Sequence, residues 1–193
     1  MKNLLITGFT PFGGAEINPS WEAVSGLAEI IGNFRVHKLQ IPTIFGGASW
    51  MVVEHAGPIK PDVILCVGQA GGRTAVTPER IAVNIQDARI PDNAGNQPRG
   101  QFVIPGGPAA YFSTVPVEAM AQRIRERGIP AEVSNSAGTF VCNDVLYNLL
   151  HHYDVSKIGI GFIHVPWLPQ QGQPSLPLED TVAALTAAIE ALE

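Results

Sequence analysis

Strand-like and helix-like segments alternate along this chain, and the alternation limits the fold more than any other sequence feature. Apolar runs predict strands at 2–8, 34–41, 62–67, 80–86, 131–135 and 157–165. Amphipathic segments predict helices at 19–31, 46–56, 114–127, 140–152 and 177–192. The runs 62–67 and 158–163 are apolar on both faces, as strands covered by helices on two sides must be. The sequence therefore predicts an α/β fold, a three-layer α/β/α sandwich with a mainly parallel twisted sheet.

The composition limits the number of domains and the classes of partner that we expect. With 193 residues, 46% hydrophobic and 15% charged, the chain can bury one substantial core, and we expect a single domain over 1–193. A net charge of -5 without a basic run argues against nucleic acid and anionic membranes as partners. The first residues predict a strand rather than a signal sequence. Because its two cysteines provide no disulfide framework, we expect a cytoplasmic protein.

Two segments rich in glycine and proline, 8–19 and 91–110, are predicted to be loops. Loops that follow strands gather at the carboxyl edge of a parallel sheet, where α/β proteins bind ligands. Phe9 and Phe12 in the first loop fit either a ligand pocket or a loop folded back on the core. The glycines at 8–14 and 68–73 lack the spacing of nucleotide-binding loops, and Pro11 removes an N–H donor, so we expect no nucleotide.

Cys142 lies where the strand-like segment 131–135 gives way to a helical pattern. In the first turn of a helix, unpaired N–H groups and the helix dipole favour an anion. A thiol in that position is expected to have a lowered pKa and to act as a nucleophile. The alternative is a small buried apolar residue, since free cysteine is among the most buried residue types. Cys66, inside the apolar run 62–67, is predicted to be core.

A nucleophilic cysteine needs a base, and the base benefits from a carboxylate that orients it. Of the five histidines, His164 is distinctive because it closes a buried-strand run at the predicted carboxyl edge. A hydrogen-bonded core histidine is the alternative. Glu79 precedes an apolar run and needs a polar or cationic partner, which Arg80 could be in a purely structural role. Asp144 competes with Glu79, but two positions after Cys142 it points to another helix face, and a surface role suits it better.

Seven stretches, in order over nearly the whole chain, carry a family resemblance. They are GFTPFGG (8–14), NPS (18–20), GQAGGR (68–73), PERIAVN (78–84), DARIPDN (87–93), SAGTFVCN (136–143) and HVP (164–166). With these stretches the chain resembles the pyroglutamyl peptidases of the cytosolic cysteine type, also called pyrrolidone-carboxylate peptidases. One departure is WLPQ at 167–170, where the resemblance leads us to expect a smaller aromatic and an acidic residue.

The resemblance implies a cysteine peptidase that removes an N-terminal pyroglutamyl residue from peptides through an acyl-enzyme. The implied triad is Glu79, Cys142 and His164, with no metal and no organic cofactor. Implied substrate contacts are an apolar ring pocket with polar partners at Asn18 and Gln69 and with Arg89 near the reacting carbonyl. The apolar members are Phe9, Phe12, Ile90, Phe140 and Val141. Related enzymes also imply a homo-oligomer, either a dimer or a tetramer.

Two other functions stay open on the residues alone. A cysteine amidase acting on other small amides would use the same three side chains. A non-enzymatic α/β module for small anions would need none of them. An uncharged lactam suits an apolar pocket with amide partners, and proline, which lacks the ring carbonyl, would leave those partners unpaired.

Overall fold

The computed structural model describes residues 1–193 and contains eight strands and five helices. The strands are β1 (Lys2–Phe9), β2 (Ile30–Ile31), β3 (Phe34–Ile41), β4 (Val63–Gln69), β5 (Thr77–Pro78), β6 (Ile81–Val83), β7 (Ala110–Phe112) and β8 (Gly159–Val165). The helices are α1 (Pro19–Ser25), α2 (Gly47–Ile59), α3 (Val117–Glu126), α4 (Val141–His152) and α5 (Leu178–Glu190).

Six of the strands form one sheet in the order β2-β3-β1-β4-β8-β5. The four central strands are parallel, and the short β2 and β5 pair antiparallel at the two edges. Helices α1, α3 and α5 pack on one face of the sheet, and α2 and α4 pack on the other. The predicted α/β fold, with a mainly parallel sheet between two helical layers, is confirmed.

The carboxyl ends of β1, β4 and β8 meet at one edge of the sheet, because the three strands run parallel side by side. Gln69 at the end of β4 pairs with Val165 at the end of β8. The end of β1 is crossed closely by α1. A Cβ on Gly8 would lie 2.6 Å from the Cα of Trp21, so only glycine allows this approach. The approach brings the first loop against the ends of β4 and β8.

The predicted helix 19–31 is wrong in its second half. Helix α1 ends at Ser25, and Ile30–Ile31 pairs antiparallel with the start of β3. Gly32, with φ at +54°, makes the tight turn between the two strands. The apolar residues that seemed to continue the helix therefore belong to a short edge strand.

Two predicted strands also differ from the structure. Segment 131–135 is extended but joins no sheet, and it makes only isolated bridges, from Ala131 to Val76 and from Ser134 to Glu79. Of 80–86, only Ile81–Val83 is a strand, and it pairs with β7 in a separate two-stranded sheet. Besides the pairing with β7, a side chain holds this segment, because the Asn143 amide bonds to the backbone of Val83 and Ile85.

The two predicted loops, 8–19 and 91–110, are irregular over most of their length, as expected. The second is held from inside by Asp92, whose carboxylate accepts hydrogen bonds from the backbone N–H groups of Phe45, Ala94 and Asn96. These bonds outweigh burial and lower the pKa of Asp92. None of the helices combines the length and the apolar character needed to cross a membrane.

Candidate active site

A cavity of about 490 Å³ opens at the carboxyl edge of the sheet and contains the predicted nucleophile and base. Six of its lining residues are hydrophobic, and most of the others can donate or accept hydrogen bonds. The lining consists of Phe9, Phe12, Asn18, Thr43, Gln69, Ala70, Arg73, Ser136, Ala137, Gly138, Phe140, Cys142 and His164. These residues come from widely separated parts of the chain, which the fold brings to one point.

Cys142 is the second residue of α4, and the two residues after it bind neighbouring segments of the chain. Phe140 at the N-cap offers no side-chain hydrogen bond, so the first N–H groups of the helix stay available. Asn143 is fully buried and binds the backbone of Val83 and Ile85. Asp144 is also fully buried and accepts hydrogen bonds from Gly46 N–H at 2.9 Å and from Gln86. The expected surface role of Asp144 is therefore wrong, because it ties α4 to the loop before α2.

The sulfur of Cys142 occupies the space above Gly68, next to the base. A Cβ on Gly68 would lie 2.8 Å from Sγ of Cys142 and 2.7 Å from the Phe162 ring. Gly68 pairs in register with His164, so the two residues present their Cβ directions on the same face of the sheet. The missing side chain at 68 thus admits the sulfur beside the imidazole. The two groups line the same cavity without a direct hydrogen bond between them.

Glu79 and His164 form a buried pair. Strand β5 runs antiparallel to β8 and places Glu79 beside His164, and the Glu79 N–H donates to Phe162 O at 2.8 Å. His164 Nδ1 lies 2.7 Å from Glu79 Oε1. Because an ionised carboxylate only accepts, Nδ1 carries the proton, and Nε2 is left with a lone pair. This is the tautomer that a base acting on Cys142 requires.

Arg73 completes this group by binding the carboxylate oxygen that also binds His164. Its guanidinium lies 2.7 Å from the same Glu79 Oε1 and donates to Ser136 O at 3.1 Å. Arg80, considered from the sequence as the partner of Glu79, pairs with Glu118 at the surface instead. The partner of Glu79 therefore comes from the glycine-rich segment after β4, six residues earlier, which the sequence did not indicate.

The predicted lowering of the Cys142 pKa is contradicted. Burial raises the pKa of this thiol to about 12, and the negative charge of Glu79 acts in the same direction. The positive charge of Arg73 opposes them without prevailing. The thiol therefore keeps its proton at neutral pH while the histidine beside it is neutral.

The pKa values of His164 and Glu79 are shifted in directions that fit a neutral thiol beside a neutral imidazole. Burial lowers the pKa of His164 below its ordinary 6.5, although the hydrogen bond and charge of Glu79 act against it. For Glu79, burial would raise the pKa, but the hydrogen bond and charge of His164, with the hydrogen bond from Arg73, outweigh it and lower the pKa. At neutral pH the site holds a neutral thiol, a neutral imidazole and a carboxylate.

Five of the eight predicted substrate contacts line the cavity with Cys142: Phe9, Phe12, Asn18, Gln69 and Phe140. Phe12 and Phe140 face each other with ring centroids 5.9 Å apart. Asn18 has its amide engaged by the chain itself, since it caps α1 through Ser20 and donates to Thr10 O. Gln69 accepts from Gln171, and its Nε2 has no partner in the protein.

The other three predicted contacts lie elsewhere. Arg89 and Ile90 line a second cavity, which adjoins the first through Phe12 and Gln69. Val141 is fully buried in the core beneath the site and lines neither of these cavities. The sequence could not separate these places, because neighbours on one turn or loop point in different directions.

Thr43 is a cavity residue that the sequence reasoning missed, and no signal in the sequence pointed to it. It follows β3 and binds Thr10 O through its hydroxyl at 2.9 Å. Nowhere in the structure do three or more histidine, cysteine or acidic side chains come together in a way that could hold a metal ion.

Comparisons with known proteins find similar chains over almost the whole length. The chain matches the pyroglutamyl peptidase family over residues 2–193. It is 54% identical to a pyrrolidone-carboxylate peptidase of Escherichia fergusonii, covering 98% of this chain and 92% of that protein. A homologue of the same name from Levilactobacillus brevis is 53% identical, with 98% and 96% covered. The crystal structure of Bacillus amyloliquefaciens pyroglutamyl peptidase I superposes with a TM-score of 0.96 at 45% identity, covering 100% of this chain and 97% of that one.

Proposed function

The chain belongs to the pyroglutamyl peptidase family, and from that premise we propose that it removes N-terminal pyroglutamyl residues from peptides with Cys142 as nucleophile. His164 is the base and Glu79 orients it. The observation that carries this assignment is the buried Glu79–His164 pair, 2.7 Å from Oε1 to Nδ1. His164 lines the cavity that also contains Cys142, the one thiol that is not fully buried. We further propose that residues 1–193 act as one peptidase domain.

The attack of Cys142 on the substrate begins with the thiol and the His164 imidazole both uncharged. The pKa of Cys142 is raised to about 12, so little free thiolate exists before substrate binds. As Sγ bonds to the carbonyl carbon after the lactam ring, its proton passes to Nε2 of His164, and the carbonyl π electrons move to oxygen. Glu79 stabilises the imidazolium that forms, as a carboxylate does in other triads. Burial of the thiol therefore favours proton transfer during the attack.

The oxyanion and the leaving group follow from the same geometry. The unpaired N–H groups at the start of α4, including that of Cys142, can donate to the negative oxygen. When the C–N bond breaks, the imidazolium of His164 gives its proton to the departing amine, and a thioester remains on Cys142. His164 then takes a proton from water, whose oxygen attacks the thioester, and the C–S bond breaks with return of the proton to sulfur.

The lactam ring fits the apolar part of the cavity. Phe9, Phe12 and Phe140 supply the walls, and the free Nε2 of Gln69 supplies a donor for the ring carbonyl. Arg89 and Ile90 line the adjoining cavity, so we place them along the substrate beyond Gln69. Asn18 lines the same wall as Phe12. We assign Val141 to packing under the ring pocket.

A reporter assay tests the function. A pyroglutamyl amide with a fluorescent leaving group is expected to be hydrolysed, and the prolyl and glutaminyl analogues are expected to be left intact. Hydrolysis of all three would favour a cysteine amidase of broader specificity. No hydrolysis of any would favour a small-anion binding module.

We also propose a homo-oligomer, a dimer or tetramer, in the cytoplasm. Two large aromatic side chains, Phe102 and Phe112, are each 67% exposed, and an interface would remove them from water. Both cysteines are free thiols, and a thiol nucleophile stays active only where it stays reduced. Sedimentation or light scattering of the purified protein measures the mass of the assembly.

A further inference from the structure

A chain of amide contacts lies behind Gln69 and leads away from the cavity. Gln171, in the turn after β8, donates from Nε2 to Gln69 Oε1 at 3.1 Å. The same Nε2 lies 3.4 Å from the carbonyl oxygen of Ile17. On its other side, Gln171 Oε1 accepts from the N–H of Leu168 at 3.0 Å. Two backbone groups and two side-chain amides therefore form one connected set.

The backbone groups fix which end of the Gln171 amide points where. The Leu168 N–H can only donate, so the atom facing it must be an oxygen. The Ile17 carbonyl can only accept, so the atom facing it must be the NH₂ group. A rotated amide would place oxygen against oxygen and nitrogen against nitrogen. The orientation of Gln171 is thus set by main-chain atoms whose roles are fixed.

This orientation passes to Gln69. Because Gln171 presents a donor, Gln69 must turn its oxygen toward Gln171 and its NH₂ toward the cavity. No other group in the protein bonds to Nε2 of Gln69. A side-chain amide alone could present either end to the cavity at similar energy. With Gln171 in place, only the donor is presented.

Backbone hydrogen bonds and the packing of Trp167 hold the turn that carries Gln171. The Gln171 N–H donates to Leu168 O at 2.9 Å, and the Leu176 N–H donates to Trp167 O at 2.8 Å. The indole of Trp167 packs against two glycines, since a Cβ on Gly71 would lie 2.3 Å from it and one on Gly172 would lie 3.2 Å from it. Trp167, the departure from the expected family pattern, thus helps to hold the turn in place.

We propose that Gln171 is a positioning residue for substrate specificity. It holds the Gln69 amide with its donor facing the ring carbonyl of the lactam, and so lets the site distinguish pyroglutamate from proline. This inference rests on the proposed function. Gln171 does not line the cavity that holds Cys142, so it acts on the lactam ring through Gln69.

An isosteric pair of substitutions tests the relay. In Gln171→Glu, one carboxylate oxygen still accepts from Leu168 N–H, but the other now accepts as well. Gln69 should rotate, and its oxygen should face the ring carbonyl. In Gln171→Met, nothing holds the amide, which samples both orientations. For a pyroglutamyl reporter we expect kcat/KM to fall roughly 100-fold in Gln171→Glu and roughly 10-fold in Gln171→Met, mainly through KM.

The Gln69→Ala background supplies the control. Without the Gln69 amide, the two substitutions at 171 should differ by no more than about 2-fold, because the relay has nothing left to orient. Any effect of the new charge on Cys142 would persist in that background and so is measured separately. Circular dichroism and the rate of Cys142 alkylation check that each variant is folded.

Two results would overturn the relay. One is an equal loss in Gln171→Glu and Gln171→Met with Gln69 present. The other is a difference between them that is as large in the Gln69→Ala background as it is with Gln69 present. In both cases wild-type turnover of the pyroglutamyl reporter stands, so the proposed function is judged apart from the relay. Absence of wild-type turnover would overturn both.

Discussion

The two cysteines occupy contrasting surroundings in one molecule. Cys66 lies in the middle of β4, fully buried, and Cys142 lies in the first turn of α4 at the wall of the cavity. Burial raises the pKa of each thiol to about 12. What separates them is the neighbour: only Cys142 lies beside an imidazole that is held by a carboxylate. The proposed reactivity of Cys142 is therefore attributed to a positioned base and not to the acidity of the thiol.

Replacing each cysteine by alanine gives the largest expected effect. Cys142→Ala should lower kcat/KM for a pyroglutamyl reporter by roughly 10⁵-fold or more, since the nucleophile is lost. Cys66→Ala should retain most of the activity, with a moderate loss of stability from the small cavity it creates. Equal losses in both variants would mean that the two thiols matter only for packing.

Removing the base should make the two thiols alike. In His164→Ala, alkylation of Cys142 by iodoacetamide at neutral pH should slow markedly, and kcat/KM should fall roughly 10³-fold. The thiol then has a raised pKa and no acceptor for its proton. Mass spectrometry of the modified peptides reads out the rate at each cysteine. An alkylation rate equal to that of the wild type would remove His164 from the mechanism.

Glu79→Gln weakens the orientation of the base. An amide can donate to Nδ1 and so favour the wrong tautomer, and we expect roughly 10²-fold lower kcat/KM. The pKa of Glu79 in the folded protein is lowered below its ordinary 4.5. Its ionised form therefore stabilises the fold above pH 4.5, and this contribution is lost as pH falls below that value.

Denaturant unfolding at several pH values measures this contribution. The stability difference between wild type and Glu79→Gln should shrink as pH falls below 4.5. A difference that grows in acid would show that the carboxylate is not stabilised in its charged form.

Arg73→Met should have the smallest effect, a change in pH dependence. The pKa of His164 lies below 6.5, chiefly through burial, and the positive charge of Arg73 lowers it further. The neutral base is thus present at neutral pH and is lost as pH falls, so kcat/KM should decline only in acid. Without Arg73 the midpoint of that decline should move to higher pH. An unchanged midpoint would show that Arg73 exerts no charge effect on the base.

The sequence predicted the parts of the molecule that obey simple periodicity. Strand β3 was predicted with its observed bounds, and β1, β4, β8 and helices α2 to α5 were found within a few residues, because their apolar patterns are regular. The parts that depend on side-chain bonds to the backbone were missed. Asn143 binds the backbone at the end of β6, and Asp144 binds a loop N–H, and neither role leaves a periodic signal.

The site shows the same division. The sequence predicted the position of His164 at the end of a strand and of Cys142 at the start of a helix, since each residue lies at a boundary between elements. The partner of Glu79 was not, because Arg73 reaches it across a glycine-rich turn. The pKa of Cys142 was predicted in the wrong direction, since the helix dipole was weighed without the burial that the fold imposes.

A pyroglutamyl chloromethyl ketone shows whether Cys142 is a nucleophile beside a lactam pocket, because the reagent needs both a ring pocket and a thiol next to it. Peptide mapping after inactivation should find one label, on the sulfur of Cys142, with Cys66 unmodified. The prolyl analogue at the same concentration should inactivate far more slowly. Labelling at any other residue would contradict Cys142 as the nucleophile, and equal inactivation by the two reagents would contradict a pocket that selects the lactam ring.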